Sequence, residues 1–414
     1  MTGHRVFVSG IGAVTPYGLG GPALRKGLFA GRSAIGPLRA FDASRFPSRI
    51  GGEIPPLALE EHFDEREIPW LSALAAHAVI AARLAVADAG LAGVVPAGRG
   101  GVIFGTGFGS LAEAGPHFLR WSEIGDAAAR PTTIPVLMLN APAAQIARQL
   151  DLTGPSLTLA TACSSGSNAI GHALREIRAG RQDVVLAGGG EHALTEIMLR
   201  AWSRLRVLSC RNDEPERASR PFDSDRDGLV LTDAVVLLVL ESEEHLLRRG
   251  GRALAELVGY GSNCGAEHLT APDQASEAAA MRAALDDAGL APDAVDLVVA
   301  HGTGTRRNDV VEGRALGDVF GHDDACPALA AVKSTMGHAM GASGAIGAAA
   351  AAFALAQGEI PPTINLENPD PECAISGFSP VATPRALRHA MVNAFAFGGH
   401  NAVLILGRAE GSLP

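Results

Sequence analysis

Residues 161–174 read TACSSGSNAIGHAL, and residues 334–349 read STMGHAMGASGAIGAA. Each is a turn of small residues running into an Ala/Gly-rich helical pattern, so the second stretch looks like an echo of the first. The match is loose, and shared Ala/Gly composition accounts for it as well as duplication does. Outward from these stretches, RVFVSGIG (5–12), GVIFGTG (101–107), DVVLAGG (183–189) and DAVVLLVLE (233–241) are nearly continuous in apolar residues. That is the pattern of strands buried on both faces. Helical patterns lie between them, such as WLSALAAHAVIAARLAVADAG (70–90), closed by a glycine. After LLRRGGRA the pattern restarts with AELVGYGS (255–262), DLVVAHGTG (296–304), PALAAVKST (327–335) and HAMVNAFAFGG (389–399). The expectation is an α/β chain built twice, as halves 1–252 and 253–414, with the Pro-rich EIPPTINLENPDPE (359–372) as a surface loop.

At 414 residues, with 19% charged side chains, the chain is long enough for a large core shared by two halves. Five cysteines (163, 210, 264, 326, 373) are scattered and odd in number, with no CxxC spacing, so neither a disulfide framework nor a metal site is expected. MTGHRVFVSG runs straight into a strand pattern without a signal peptide. The longest apolar run, GAIGAAAAAFALAQG from Gly344, reads as too short and Ala-rich to span a membrane. A soluble, cytoplasmic protein is expected. Its net charge of −10 argues against general nucleic-acid binding. Only two of its 34 basic residues are lysines, Lys26 and Lys333. Lys333 therefore reads either as chance survival or as a group with a task arginine cannot perform.

Cys163 lies where a strand pattern, SLTLA (156–160), gives way to a helix. Read alone it is as well explained as a small buried residue. At a helix N-terminus, however, the backbone dipole favours thiolate, and free amides there can stabilise an oxyanion. AHGTGT places His301 at the end of a buried strand, where ligand sites of α/β sheets collect, with Thr303 and Thr305 able to bind an amide-containing arm. KSTMGHAMGASG adds Lys333 and His338 around a glycine turn. A buried lysine needs a partner, for which Glu312 is the plausible carboxylate. NAFAFGGHNA (393–402) supplies a turn around Phe397, whose N–H is either a second oxyanion donor or part of an ordinary β-turn.

Taken in order, TACSSG, HGTGT, KSTMGH and FGGHN, together with SRPFDSDRDGLVL (219–231), resemble the β-ketoacyl-[acyl-carrier-protein] synthases I/II over nearly the whole chain. These are condensing enzymes of the thiolase fold, a duplicated five-layer αβαβα architecture, so the resemblance implies two thiolase-like halves. Its Cys-His-His set differs from the Cys-His-Asn set of type III synthases. The resemblance implies that Cys163 takes an acyl group from a carrier-protein thioester. His301 and His338 would polarise the thioester of malonyl-carrier protein during decarboxylation, and the amides of Cys163 and Phe397 would hold the oxyanion. Lys333, paired with Glu312, would orient the histidines. Thr303 and Thr305 would hold the pantetheine arm, with His268 and Thr270 at the channel mouth. No bound cofactor is implied, since the phosphopantetheine arrives on the acyl carrier protein.

The chain departs from the family pattern in places. Thr232, Asp233 and Ala234 stand where the family commonly has GEGA, and Ala396 replaces a glycine of GFGG, implying a stiffer or displaced gate at Phe397. Phe108 and Trp202 are bulky at acyl-pocket positions. They imply short chains or a rigid chain routed elsewhere, unless small neighbours compensate. These departures favour type II polyketide or polyene assembly over fatty-acid elongation. A chain-length-factor-like partner would typically lack the nucleophile, and a thiolase would use a second cysteine, a context Cys373 does not have. Arg206 and Arg130 are the candidates for meeting an acidic carrier protein, whereas EEHFDEREIP (60–69) is acidic. The resemblance also implies dimerisation through the strand before the nucleophile, either as a homodimer or with a chain-length-factor-like paralogue.

Overall fold

The buried run at the start of the chain forms β1 (Val6–Thr15), followed by β2 (Gly100–Gly105), β3 (Ser156–Leu159), β4 (Val184–Glu191) and β5 (Ala234–Ser242). The second half supplies β6 (Ala255–Cys264), β7 (Leu297–Val299), β8 (Ala328–Ala330), β9 (His389–Ala396) and β10 (His400–Arg408). This computed structural model describes residues 4–91, 98–321 and 326–409. The strand orders are β3-β2-β4-β5-β1 and β8-β7-β9-β10-β6, the same sequence of positions in each half. Directions repeat as well. β2 is parallel to β3 and β4, while β5 is antiparallel to β4 and β1. β7 is likewise parallel to β8 and β9, while β10 is antiparallel to β9 and β6. A short antiparallel pairing, Phe7 with Glu256 and Val8 with Ala255, joins β1 to β6.

Six helices complete five layers: α1 (Ala73–Asp88), α2 (Ala141–Gln149), α3 (Ser165–Arg178), α4 (Gln274–Ala288), α5 (Arg306–Phe320) and α6 (Ser343–Gln357). α1 and α2 cover the outer face of the first sheet, and α4 and α5 that of the second. α3 and α6 lie between the sheets, touch each other and share one core with strands of both. The small residues of the two echoing stretches are a consequence of this crossing. A Cβ on Gly166 would stand 2.8 Å from the Gly341 carbonyl oxygen, and one on Gly344 would stand 2.3 Å from Ser167 Oγ. Identical topology favours duplication over coincidence of composition.

Three sequence expectations need correction. The apolar runs 296–304 and 327–335 form only three-residue strands, because the chain leaves the sheet before the residues of chemical interest. The Pro-rich stretch 359–372 is not all surface: Pro361, Pro362 and Thr363 are buried, and Thr363 Oγ1 accepts the Ala331 N–H at 2.8 Å. The apolar segment around α6 extends from Met340 to Gln357, long enough to cross a membrane by length and composition, but 89% of it is buried inside the protein. It is the only such segment among the described residues.

Candidate active site

β3 ends at Leu159, and the chain turns through Ala162, held at a φ of 50°, to put Cys163 one turn before α3. A left-handed alanine is strained and needs support. Ser165 Oγ donates to the Ala162 carbonyl at 2.6 Å and accepts the Thr161 N–H at 2.8 Å, while Asn168 Nδ2 donates to Thr161 Oγ1 at 2.7 Å. The pull of the helix terminus towards thiolate is outweighed in the fold. Burial pushes its thiol up to about 12, outweighing the pull of Lys333, and the buried Glu191 adds to the rise. Cys163 rests as a thiol because a desolvated charge costs more than one helix terminus and one ammonium return.

His301 follows β7 and His338 follows the short helix Lys333–Met336; both are 2% exposed, and their rings meet edge to face at 5.4 Å. Burial holds both pKa values well below the ordinary histidine value, with the Lys333 charge adding to the effect, so both rings are neutral. Their partners define the tautomers. Met340 N–H donates to His338 Nδ1 at 3.2 Å, and Ser343 Oγ lies 2.8 Å from the same atom. Lys333 Nζ lies 3.3 Å from His301 Nδ1 and also donates to the His301 carbonyl. Each ring therefore accepts at Nδ1 and carries its proton on Nε2, giving two neutral N–H donors.

The expected Lys333–Glu312 ion pair is replaced by a different arrangement. Glu312 accepts the backbone N–H groups of His301 and Gly302, each at 2.7 Å, and Asn393 Nδ2 at 3.2 Å. It holds the turn that carries His301, while Lys333 holds the ring, and the two charges act on each other without direct contact. Burial raises Glu312 to about 6 and lowers Lys333 to about 8.

Cys163, His301 and His338 line one cleft of about 480 Å³, together with Trp202, Arg206, Thr270, Thr303, Thr305 and Phe397. Thr303 and Thr305 share a hydroxyl contact of 2.9 Å. Phe108 does not line the cleft itself but closes on Trp202 edge to face at 6.5 Å, and Phe397 stacks on Trp202 at 6.0 Å. The three rings form an aromatic wall in the same apolar cluster as Cys163. Two expected residues fall elsewhere. His268 Nδ1 accepts the N–H groups of Thr270 and Ala271, at 3.0 and 3.1 Å, so it shapes the loop rather than lining the cleft. Arg130 is exposed on a segment outside the cleft lining.

The departures from the family pattern also gain a structural account. Thr232 Oγ1 donates to the Met336 carbonyl at 2.5 Å, and His338 N–H donates to the Val230 carbonyl at 2.7 Å, so this segment buttresses the His338 turn. Gly337 has a φ of 84°, and a Cβ there would meet Thr232 Oγ1 at 2.3 Å. Ala396 has a φ of −141°, ordinary extended backbone, so its lost glycine freedom costs nothing in this conformation. The left-handed positions of the turn are Gly398 and Gly399.

Among the buried carboxyls that the sequence reading did not single out, two bear on the site. Glu191 accepts Gly107 and Phe108 N–H at 2.6 and 3.0 Å and Gly341 N–H at 3.2 Å, tying the end of β2 to the turn before α6. It sits at the end of an apolar strand, where a charged residue is itself the signal. Glu277 is 1% exposed, lines the cleft, and has no hydrogen-bond partner among the described residues for either oxygen. It shares a helical face with Ala280, Met281, Ala284 and Leu285, all buried, which was legible from spacing. Burial holds its carboxyl well above the usual range, with the Glu312 and Asp273 charges adding to the rise. Such an acid is neutral when folded and ionises on unfolding, so stability falls as pH rises from the ordinary Glu value through the folded one. Glu277→Gln should therefore lose less Tm than the parent between about pH 5 and pH 8. Equal losses in thermal denaturation would show that Glu277 is not held neutral.

The comparisons agree with this geometry. The family profile "Beta-ketoacyl synthase, N-terminal domain" matches residues 3–245, and "Beta-ketoacyl synthase, C-terminal domain" matches 254–367. The chain is 39% identical over 403 residues to the 3-oxoacyl-[acyl-carrier-protein] synthase 2 of Synechocystis sp., covering 97% of each. It is 37% identical to Nodulation protein E of Rhizobium sp., covering 97% of this chain and 98% of that one. Among solved structures, the ishigamide ketosynthase/chain length factor superposes with a TM-score of 0.92 at 36% identity, over 98% of this chain and 100% of that one. A type II PKS acyl-carrier protein in complex with its ketosynthase, AntDE:AntF, gives 0.90 at 27% identity, with the same coverage. The fold is thus the thiolase fold and the site that of a condensing enzyme of the acyltransferase class. The chain belongs to the β-ketoacyl synthase family, whose members act in fatty-acid or polyketide biosynthesis.

Proposed function

We propose that this protein joins a Cys163-bound acyl group to malonyl-acyl-carrier protein, with loss of CO2, in type II polyketide assembly. The observation that carries the reading is the convergence of one thiol and two neutral Nε2–H donors in a single cleft. Cys163 Sγ attacks the carrier thioester and retains the acyl group, while the thiol proton leaves with the departing pantetheine sulfur. The N–H groups of Cys163 and Phe397 receive the oxyanion, and Lys333 favours the sulfur as it becomes anionic. Malonyl-carrier protein then loses CO2, and the bond electrons pass into an enolate whose oxygen accepts from His301 and His338. The enolate carbon attacks the acyl carbonyl, the C–S bond breaks with its electrons on Cys163 Sγ, and the thiolate takes up a proton from solvent, the one proton the condensation consumes. Neutral donors suit this step, since they stabilise charge as it forms without holding a carboxylate beforehand. No resident metal or organic cofactor enters the scheme.

The aromatic wall of Phe108, Trp202 and Phe397 favours polyketide over long saturated fatty-acid assembly, because it limits the depth open to a flexible chain. Partner geometry is proposed on separate grounds. Among the described residues β3 has one sheet neighbour, β2, and exposes Leu157, and Leu111, Phe118, Leu119, Trp121 and Ile134 are also exposed. We infer that a second copy or a chain-length-factor-like paralogue pairs along this edge, which sedimentation of the purified chain reads out.

Intact-mass measurement after incubation with acyl-carrier proteins of graded length tests the function. A short-chain adduct is expected on the parent, and longer chains should be admitted by Phe108→Ala. An unselective parent would remove the argument from the aromatic wall.

A further inference from the structure

From His301 to Arg307 the chain climbs out of the protein along one side of the cleft. His301 and Thr303 are buried, Thr305 is half-buried, and Arg306 and Arg307 are exposed, all lining the same space. Arg206, at the end of the helix Glu196–Leu205, lines the rim with them. None of these three guanidiniums makes an ion pair or side-chain hydrogen bond among the described residues, although Arg306 feels the carboxylate of Asp370. That carboxylate is already engaged by Arg226 at 2.6 Å.

The backbone beneath the arginines is anchored. Arg226 is 3% exposed and donates to the carbonyls of Thr305 and Arg306, at 3.3 and 3.1 Å. The buried Asp309 accepts the N–H groups of Thr303 and Gly304 from the other side. The cleft also holds acidic residues. Asp227 is turned to the Cys210 N–H and Asp273 to the Ser276 N–H, while Glu277 is buried deeper. An anion at the rim would therefore meet three free cations on a rigid support, in a chain whose overall charge is −10.

We propose that Arg306 and Arg307, with Arg206, bind the phosphodiester that joins the pantetheine arm to its carrier protein. The assignment rests on the condensing reading above and deepens it. The segment that offers hydroxyls to the arm inside the cleft offers guanidiniums to the arm's phosphate at the mouth. Carrier recognition is then carried in part by the prosthetic group itself, which compensates for the acidic face at 60–69.

The test compares thioesters of the same acyl group on pantetheine, 4′-phosphopantetheine and coenzyme A, reading the rate of Cys163 acylation by intact mass. In the parent, phosphopantetheine should exceed pantetheine by about tenfold or more in kcat/KM, an advantage that shrinks as salt rises. In Arg306→Gln/Arg307→Gln the ratio should fall towards one, and Arg306→Lys/Arg307→Lys should recover part of it. A parent ratio of one, or a ratio unchanged in the glutamine variant, would overturn the phosphate site while leaving the condensing reading intact. Preference for coenzyme A over phosphopantetheine would overturn its assignment to a carrier-borne phosphodiester. No adduct from any thioester would overturn the condensing reading and this proposal with it.

Discussion

Cys163→Ala is expected to abolish the acyl-enzyme and to lower condensation by about 10⁴-fold or more, the scale on which removal of a nucleophile acts. Decarboxylation of malonyl-carrier protein should survive to a measurable extent, because the donors proposed for the enolate, His301 and His338, sit on other elements and keep their own supports. The expected signature is CO2 release without product. Intact mass and a CO2 assay run side by side read both halves of this result. If the variant still forms the β-ketoacyl product, Cys163 is not the nucleophile. Equal loss of both activities in a folded variant would mean that the thiol also takes part in decarboxylation. Because Cys163 rests as a thiol, raising the pH over the neutral range should do little to its availability.

The pH response should instead come from Lys333. Its ammonium sits 3.3 Å from His301 Nδ1 and donates to the His301 carbonyl, and burial lowers its pKa to about 8. As pH rises through that value the ammonium is lost, the His301 tautomer is no longer imposed, and the proton on Nε2 is no longer guaranteed. Condensation is expected to fall on this alkaline limb. Lys333→Met should cut kcat by about 100-fold or more, the scale of removing one preorganised electrostatic group, and should remove the limb from the profile. Lys333→Arg should not rescue it, since the site is built around a compact ammonium with two partners and a planar fork cannot take the same place. A pH profile unchanged in Lys333→Met would assign the limb to another group.

Much of the site was legible because its motifs combine reactive groups with turn residues where strands end. His301 and Lys333 lie just past short buried strands and His338 follows a one-turn helix, with Gly302 and Gly337 beside the two histidines in left-handed backbone. Less legible was which partner each side chain would choose. Glu312 was expected to meet Lys333, yet it reaches the backbone of its own strand-end turn, which lies on the same side of the sheet. His268 was placed with the ligand by the family resemblance, but its ring closes a loop. Glu277 was readable from helical spacing alone, although spacing says nothing about its missing partner.

Most of the strands, the repeated plan and the residue types of the candidate site are local properties, set by apolar periodicity and by turns of small residues. Tertiary structure alone decided the protonation states. A helix terminus favours a Cys163 thiolate, but the depth of burial between two sheets decides against the charge. The two histidines owe their neutral state to the same depth; Lys333, 32 residues on, sets the tautomer of His301, whereas the His338 tautomer is set locally by the Met340 N–H two residues away. Local sequence sets which groups are present. The dielectric around them and the direction of the His301 proton depend on contacts between segments that are far apart in the chain.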